Sequence, residues 1–161
     1  MDIKEDERFM RLALNEAEQA RDLDEVPVGA VIVAGGRVIA RGYNLCERLN
    51  DFTAHAEMQA FTSASEFLGG KFLDKCTLYV TLEPCPMCAG AAFWTRIGRI
   101  VYGASDPKRG YKRWAVHPDK TGHGGANSEN GLLHPKTEIV GGVLADECSQ
   151  LVKDFFSKKR K

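Results

Sequence analysis

The sequence predicts an α/β domain in which one mixed, five-stranded sheet lies between layers of helices. Short β-branched runs alternate with longer segments of helical periodicity, in the order α-β-β-α-β-α-β, a long loop, and then β-α. The 161 residues are close to the size of one domain, and 43% hydrophobic with 27% charged residues is a globular balance that argues against disorder. We therefore expect a single domain spanning residues 1–161.

A helix and a β-hairpin are predicted for the first quarter of the chain. Apolar residues recur at helical spacing over residues 9–20, and Asp6 is the expected N-cap. β-Branched residues predict a buried strand over residues 28–34, and alternation predicts a second strand over residues 37–42. Gly35-Gly36 between them is a two-residue turn signal, so the chain should return as a hairpin.

The middle of the chain predicts a polar loop over residues 45–52, a helix from about residue 55 to residue 68, and then a strand–helix–strand unit. Its strands cover residues 76–81 and 99–103. The helix between them covers about residues 87–95, and a helical connection of this kind makes the two strands parallel.

The end of the chain predicts a short strand at residues 139–140 and a helix over residues 145–158. Residues 104–136 come before them, with five glycines and no clear periodicity. A loop of this length is usually functional or disordered.

Two cysteines predict a metal site. The chain has five cysteines and no secretion-signal pattern, which argues against a disulfide framework. Cys85 and Cys88 have C-x-x-C spacing where a strand gives way to a helix, whose free N–H groups favour thiolates. A catalytic zinc takes three protein ligands and keeps a fourth position for water. His55 with Cys85 and Cys88 would complete such a set.

Glu57, two residues after His55, is predicted to be the catalytic residue. A carboxylate beside an open metal site can take a proton from water and then deliver it to the substrate, acting as base and acid in turn. The pattern of His55, Glu57, Cys85 and Cys88 matches the H-x-E…P-C-x-x-C signature of zinc-dependent nucleobase deaminases.

A closed zinc site that only stabilises the fold is the alternative, and it would need a fourth protein ligand. Composition offers His117, His123, His134 and Cys46, but none of them has ligand spacing to the others. A second metal site at His117 and His123 is not favoured, because histidines in glycine-rich loops are more often solvated. The closed site also leaves Glu57 unexplained.

Residues 25–31, 53–57, 78–85 and 87–91 closely resemble the bacterial tRNA-specific adenosine deaminases, within the cytidine deaminase-like zinc superfamily. The resemblance covers almost the whole chain except part of the long loop. It implies a three-layer α/β/α sandwich of the cytidine deaminase type. The loop over residues 104–136 is longer than in that family and different in sequence, which bears on the choice of substrate.

The resemblance also implies a base-binding set and a homodimer. Asn44 would hydrogen-bond the target base, although an Asn after a strand is more simply a turn residue. The other members of the set would line the base pocket, the last two through their backbone: Glu25, Val26, Pro27, Ala56 and Cys85.

The charge distribution allows an RNA partner. The net charge is zero, but residues 96–161 hold thirteen basic and seven acidic residues. The basic residues cluster at residues 108–113 and 158–161, and such a face can bind phosphates, although a lone basic tail is usually only solvated. No apolar run is long enough to span a bilayer and the acidic N-terminus is unlike a signal peptide, so we expect a cytoplasmic protein without membrane association.

Three functions are compatible with these residues. The first is zinc-dependent deamination of adenosine to inosine at the wobble position of tRNA, with the anticodon loop as partner. The second is deamination of a free base or nucleoside, such as guanine, by nearly the same motifs. The third is an idle RNA-binding module that kept the fold, against which the intact Glu57 argues.

Overall fold

The computed structural model describes residues 2–114 and 132–159, and within them four helices and one five-stranded sheet. The elements follow the predicted order, with one added 3₁₀ turn at Tyr111–Trp114. They are α1 Ile3–Asp22, β1 Gly29–Ala34, β2 Arg37–Tyr43, α2 Ala56–Leu68, β3 Cys76–Leu82, α3 Pro86–Thr95, β4 Arg99–Ala104, β5 Glu138–Val140 and α4 Ala145–Lys159.

The sheet is mixed, in the strand order β2-β1-β3-β4-β5. β1 is antiparallel to both β2 and β3, whereas β4 is parallel to β3 and to β5. The parallel pair is joined through α3, as the sequence predicted. Gly35 and Gly36 both have positive φ, of 58° and 76°, which explains the two-residue turn between β1 and β2.

Side chains from the two faces of the sheet build two cores. Val31 and Tyr79 point to the face covered by α1 and α4, where they pack with Phe9 and Cys148. Ile32, Leu78 and other alternate residues point to the face covered by α2 and α3. This alternation, required by the period of two in a strand, produces the predicted three-layer α/β/α sandwich.

The predicted start of α1 was wrong. The helix begins at Ile3 with Asp2 as N-cap, and Asp6 lies buried inside it. The Asp6 carboxylate forms two 2.8 Å bonds with the Arg99 guanidinium and accepts a third from the Tyr79 hydroxyl. The hydrogen bond from Arg99 is the main cause that lowers the pKa of Asp6, against the effect of burial. Asp6, which was predicted to be the N-cap, therefore forms a buried ion pair between α1 and β4.

Close packing between β2 and α2 sets the position of the active-site helix. Gly42 faces the backbone of Ala56, and a Cβ at residue 42 would overlap the Ala56 carbonyl oxygen. Only glycine permits this approach. It holds the N-terminus of α2, with His55 and Glu57, against the sheet.

Within residues 2–114 and 132–159, no helix is both long and apolar enough to cross a lipid bilayer.

Candidate active site

Two helix N-termini bring the three predicted metal ligands together. His55 is the N-cap residue of α2 and Cys85 is the N-cap residue of α3, in which Cys88 lies one turn further on. Neither cap residue makes a side-chain capping bond, so both side chains are free to face each other. The His55 Nδ1 atom lies 3.6 Å from the Cys85 Sγ atom and 3.5 Å from the Cys88 Sγ atom.

These distances fit a tetrahedral zinc ion. Zinc bonds of about 2.3 Å to sulfur and 2.0–2.1 Å to nitrogen, at a tetrahedral angle, place the nitrogen and each sulfur about 3.6 Å apart. The three ligand atoms all lie within 4.8 Å of one another. Across the described ranges no fourth His, Cys, Asp or Glu joins this group, and His117 and His123 lie outside those ranges. Among the described residues, the group therefore offers the three ligands that a catalytic zinc ion takes.

A hydrogen bond between the two thiol groups shifts the pKa of each in opposite directions. The hydrogen bond from Cys88, with help from His55, lowers the pKa of Cys85 to about 4. The pKa of Cys88 is raised, first by its hydrogen bond to Cys85 and then by burial and the charge of Glu57. Two thiolates this close repel each other unless a cation lies between them, which is the role a bound metal ion would have.

Glu57 lies at the first turn of α2 and is almost completely buried, with 4% of its surface exposed. Burial raises the pKa of its carboxyl to about 7, although the neighbouring His55 acts in the opposite direction. A carboxyl group whose pKa lies near neutrality can both accept and donate a proton. The position of Glu57 beside the metal ligands therefore suits proton transfer.

A cavity of about 250 Å³ opens next to this group. His55, Glu57 and Cys85 form part of its wall. Its remaining lining comes from four segments, namely the chain before β1, the loop between β2 and α2 with the first residue of α2, the end of β3, and the chain after β4. These residues are Glu25, Val26, Val28, Asn44, Cys46, Glu47, Phe52, Ala56, Leu82, Glu83, Asp106 and Arg109. The volume is slightly below the roughly 300–1,000 Å³ of typical small-molecule pockets, so it suits a ligand about the size of one base.

Five of the residues predicted to contact the base line this cavity, namely Glu25, Val26, Asn44, Ala56 and Cys85. Pro27 is buried and is not part of the lining, where Val28 is found instead.

The structure gives two of these residues specific contacts. Glu25 is completely buried, and its carboxylate accepts the backbone N–H groups of Glu47 and Arg48 at 2.9 and 2.7 Å. The Asn44 side-chain oxygen accepts the thiol of Cys46 at 3.0 Å. Glu25 therefore supports the loop between β2 and α2.

Glu83 is a site residue that sequence reasoning did not assign. Its buried carboxylate accepts the backbone N–H groups of Asp106 and Lys112 at 3.1 and 3.2 Å, and Gly110 packs directly against it. It therefore supports the loop after β4 as Glu25 supports the loop after β2. In the sequence, Glu83 could have been noticed as an acidic residue at the end of a buried strand, directly before the Pro-Cys of the metal motif.

The loop after β4 brings Asp106 and Arg109 to the cavity. The Asp106 carboxylate accepts the backbone N–H groups of Lys108 and Arg109, which forms a compact turn. Trp114 is exposed and is not part of the lining. Of the atypical segment 104–136, only residues 104–114 and 132–136 are described.

Comparison with known proteins agrees with this geometry. Residues 3–104 match the family model for the cytidine and deoxycytidylate deaminase zinc-binding region. The chain is 42% identical over 159 residues to the tRNA-specific adenosine deaminase of Bacillus subtilis, covering 99% of this chain and 93% of that protein. It is 49% identical over 158 residues to the chloroplastic tRNA(adenine(34)) deaminase of Arabidopsis thaliana, but it spans only 12% of that much longer protein.

Solved structures show the same fold. A tRNA:A34 deaminase studied for A-to-I editing at the wobble position of transfer RNA matches with a TM-score of 0.76 and 42% identity, over 89% of this chain and 98% of that one. The guanine deaminase of Bacillus subtilis matches with a TM-score of 0.59 and 42% identity, over 62% of this chain and 64% of that one. The likeness to the guanine enzyme thus covers less of the fold. The matched metal-site region and the nearly full-length relatives establish that this chain belongs to the cytidine and deoxycytidylate deaminase family of zinc-binding deaminases.

Proposed function

We propose that this protein deaminates adenosine to inosine at the wobble position of tRNA. One observation carries the chemistry: three side chains that could hold a metal ion lie together beside buried Glu57, at a base-sized cavity. The choice of tRNA is supported by relatives of nearly equal length that carry this activity in their names.

In this proposal His55, Cys85 and Cys88 hold the zinc ion. When bound, zinc supplies a water molecule that is easily deprotonated. The Glu57 carboxylate would take one proton from the attacking water and deliver it to the ring nitrogen next to the carbon under attack. It would then take the proton of the hydroxyl group added to that carbon and deliver it to the amine, so that the carbonyl forms as the carbon–nitrogen bond breaks. Water and adenosine are thereby converted to inosine and ammonia.

The cavity is proposed to hold the target base and nothing more. Asn44 hydrogen-bonds the base through its side-chain amide, and the backbone at Ala56 and Cys85 touches the base edge. Val26 and the neighbouring apolar wall contact its faces. Because five acidic residues and only one arginine line the cavity, we propose that the phosphates of an RNA substrate remain outside it.

Basic residues that lie next to lining residues, in the chain or through an ion pair, are proposed to meet those phosphates. Lys108, Lys112 and Arg113 are exposed on the loop after β4. At the end of α4, Lys159 forms an ion pair with Asp24, the residue directly before Glu25. The C-terminal basic run thus starts near the cavity, while Arg160 and Lys161 lie outside the described residues.

A screen of substrates tests the proposal. Ammonia release should be efficient with an anticodon stem-loop that carries adenosine at the wobble position, and inosine should appear at that nucleotide. Efficient release from a free base or nucleoside, without inosine in the RNA, would instead favour the guanine-deaminase type of activity. RNA binding without any ammonia release would favour the idle module.

Salt dependence provides an independent measurement. RNA affinity should fall steeply with salt, since each neutralised phosphate releases counterions, and each lost contact should flatten the slope of log K against log salt by about 0.7. We expect a flatter slope for the Lys108→Gln, Lys112→Gln double variant. Lys75→Gln is the matched control, because Lys75 is exposed at the opposite end of β3. Equal slopes for all three proteins would contradict a phosphate contact at this loop.

We further propose a homodimer in the cytoplasm, where the tRNA substrate is found. Large apolar side chains are exposed on and next to α2 and α3: Phe67, Leu68, Phe72, Phe93 and Trp94. A second copy of the chain would bury them. Sedimentation should give a dimer for the wild type and for Ile3→Asp, which changes an exposed residue of α1, but a monomer for Trp94→Asp. A monomeric wild type at micromolar concentration would refute the dimer.

A further inference from the structure

Phe52 lies at the edge of the cavity with its ring in solvent. It contributes to the lining of the cavity, yet 88% of its surface is exposed, the highest value among the large apolar side chains of the described residues. Burial of a phenylalanine is favourable, so a ligand that enters the cavity and covers this ring would gain binding free energy from the contact.

The loop that carries Phe52 is held by hydrogen bonds on both sides of the ring. Before it, the Leu45 backbone N–H donates to the Ala54 carbonyl across the loop, and the Asp51 N–H donates to the Cys46 carbonyl, both at 2.9 Å. These bonds close the loop on itself.

Side chains add further support to the same loop. The Asp51 carboxylate accepts the backbone N–H and the hydroxyl of Thr53 at 2.8 and 2.7 Å. Near the start of the loop, the Glu25 carboxylate accepts the backbone N–H groups of Glu47 and Arg48. The backbone of Phe52 is thus fixed by its neighbours, while its ring makes no ring contact among the described aromatic residues.

We propose that the ring of Phe52 is a stacking platform for the base next to the target adenosine in a single-stranded RNA loop. The inference rests on the proposed function. The cavity has room for one base, so the adjacent nucleotide must lie at the rim, where Phe52 is exposed. Aromatic side chains bind unstacked bases in this way without regard to sequence.

An exposed arginine in the lining favours a nucleotide as the occupant at the edge of the cavity. Arg109 belongs to the same cavity lining and is exposed, so it can meet the phosphate that joins the two nucleotides. A preformed platform also loses little conformational entropy on binding.

Replacing Phe52 tests the platform. Phe52→Leu keeps apolar bulk but removes the aromatic face, and we expect kcat/KM for the anticodon stem-loop to fall about tenfold, within the range measured for base–aromatic stacking. The loss should lie mainly in KM. Phe52→Trp should retain activity. Leu49→Ala is the matched control, because Leu49 is 55% exposed on the same loop but does not line the cavity.

A double-mutant cycle identifies the stacked nucleotide. Stem-loops with an abasic nucleotide on the 5′ side or the 3′ side of the target adenosine should be compared in wild type and Phe52→Leu. At one flank the two changes should be non-additive, because both remove the same contact.

Different outcomes would overturn the stacking platform and the proposed function on which it rests. Inosine formation by the wild type, with Phe52→Leu equal to it on all stem-loops, would overturn the platform alone. A change in sedimentation of Phe52→Leu would also overturn it, because Phe52 would then belong to an interface between copies. No inosine from the wild type would overturn the proposed function, and the platform with it.

Discussion

Replacing Glu57 with glutamine is expected to abolish turnover while the fold and the zinc content stay intact. General acid–base groups contribute about 10² to 10⁴ in rate, and Glu57 is proposed to serve several proton transfers, so the loss should reach or exceed the upper figure. The amide has nearly the same shape as the carboxyl group and sits in a buried position, where it removes the proton-carrying function but not the packing. Single-turnover inosine formation in the stem-loop measures the effect.

Glu66→Gln is the matched control for this experiment. Glu66 lies on the same helix, α2, but is exposed and outside the cavity lining. It should leave the rate unchanged. Activity of Glu57→Gln within a few-fold of wild type would show that another group moves the proton.

Replacing both Cys85 and Cys88 with serine is expected to remove the metal ion. Thiolates and imidazole are the ligands that zinc prefers, and a single histidine with two hydroxyls is a poor substitute. Elemental analysis of protein purified without added metal should give about one zinc per chain for the wild type and almost none for the double variant. Turnover should be lost with the metal.

Cys76→Ala is the matched control, because it removes a cysteine that is not a proposed metal ligand. Cys76 is buried at the start of β3, at the other end of that strand from the metal site, and is a free thiol. Its substitution should leave the zinc content unchanged. Zinc retained at full occupancy in the Cys85→Ser, Cys88→Ser variant would refute the ligand assignment, and His55→Ala provides a third test of the same set.

The layered fold could be predicted because each element carries its own local pattern. The hairpin follows from Gly35-Gly36, and the parallel pair β3 and β4 follows from the helix between them. The role of Asp6 could not be predicted from a local pattern. Near a helix start it has the sequence signature of a cap, but its partner Arg99 lies 93 residues further on, and nothing local indicates that pairing.

The candidate metal ligands and Glu57 could be predicted because the spacing within each of their two motifs is short. C-x-x-C places two thiols on one helical turn, and H-x-E places a carboxylate beside an imidazole at the start of another. The structure brings the two motifs to within 3.6 Å of each other.

The sequence by itself determined the fold class, the metal-binding motif and the family, since all three depend on patterns within single elements. The tertiary structure alone decided which loop residues surround the cavity. Glu83, Arg109 and Phe52 come from segments with no periodicity, and long-range hydrogen bonds to buried carboxylates place two of the three loops that carry them. Hydrogen bonds of that kind form only after the sheet and helices have packed, so no local pattern in the chain specifies them.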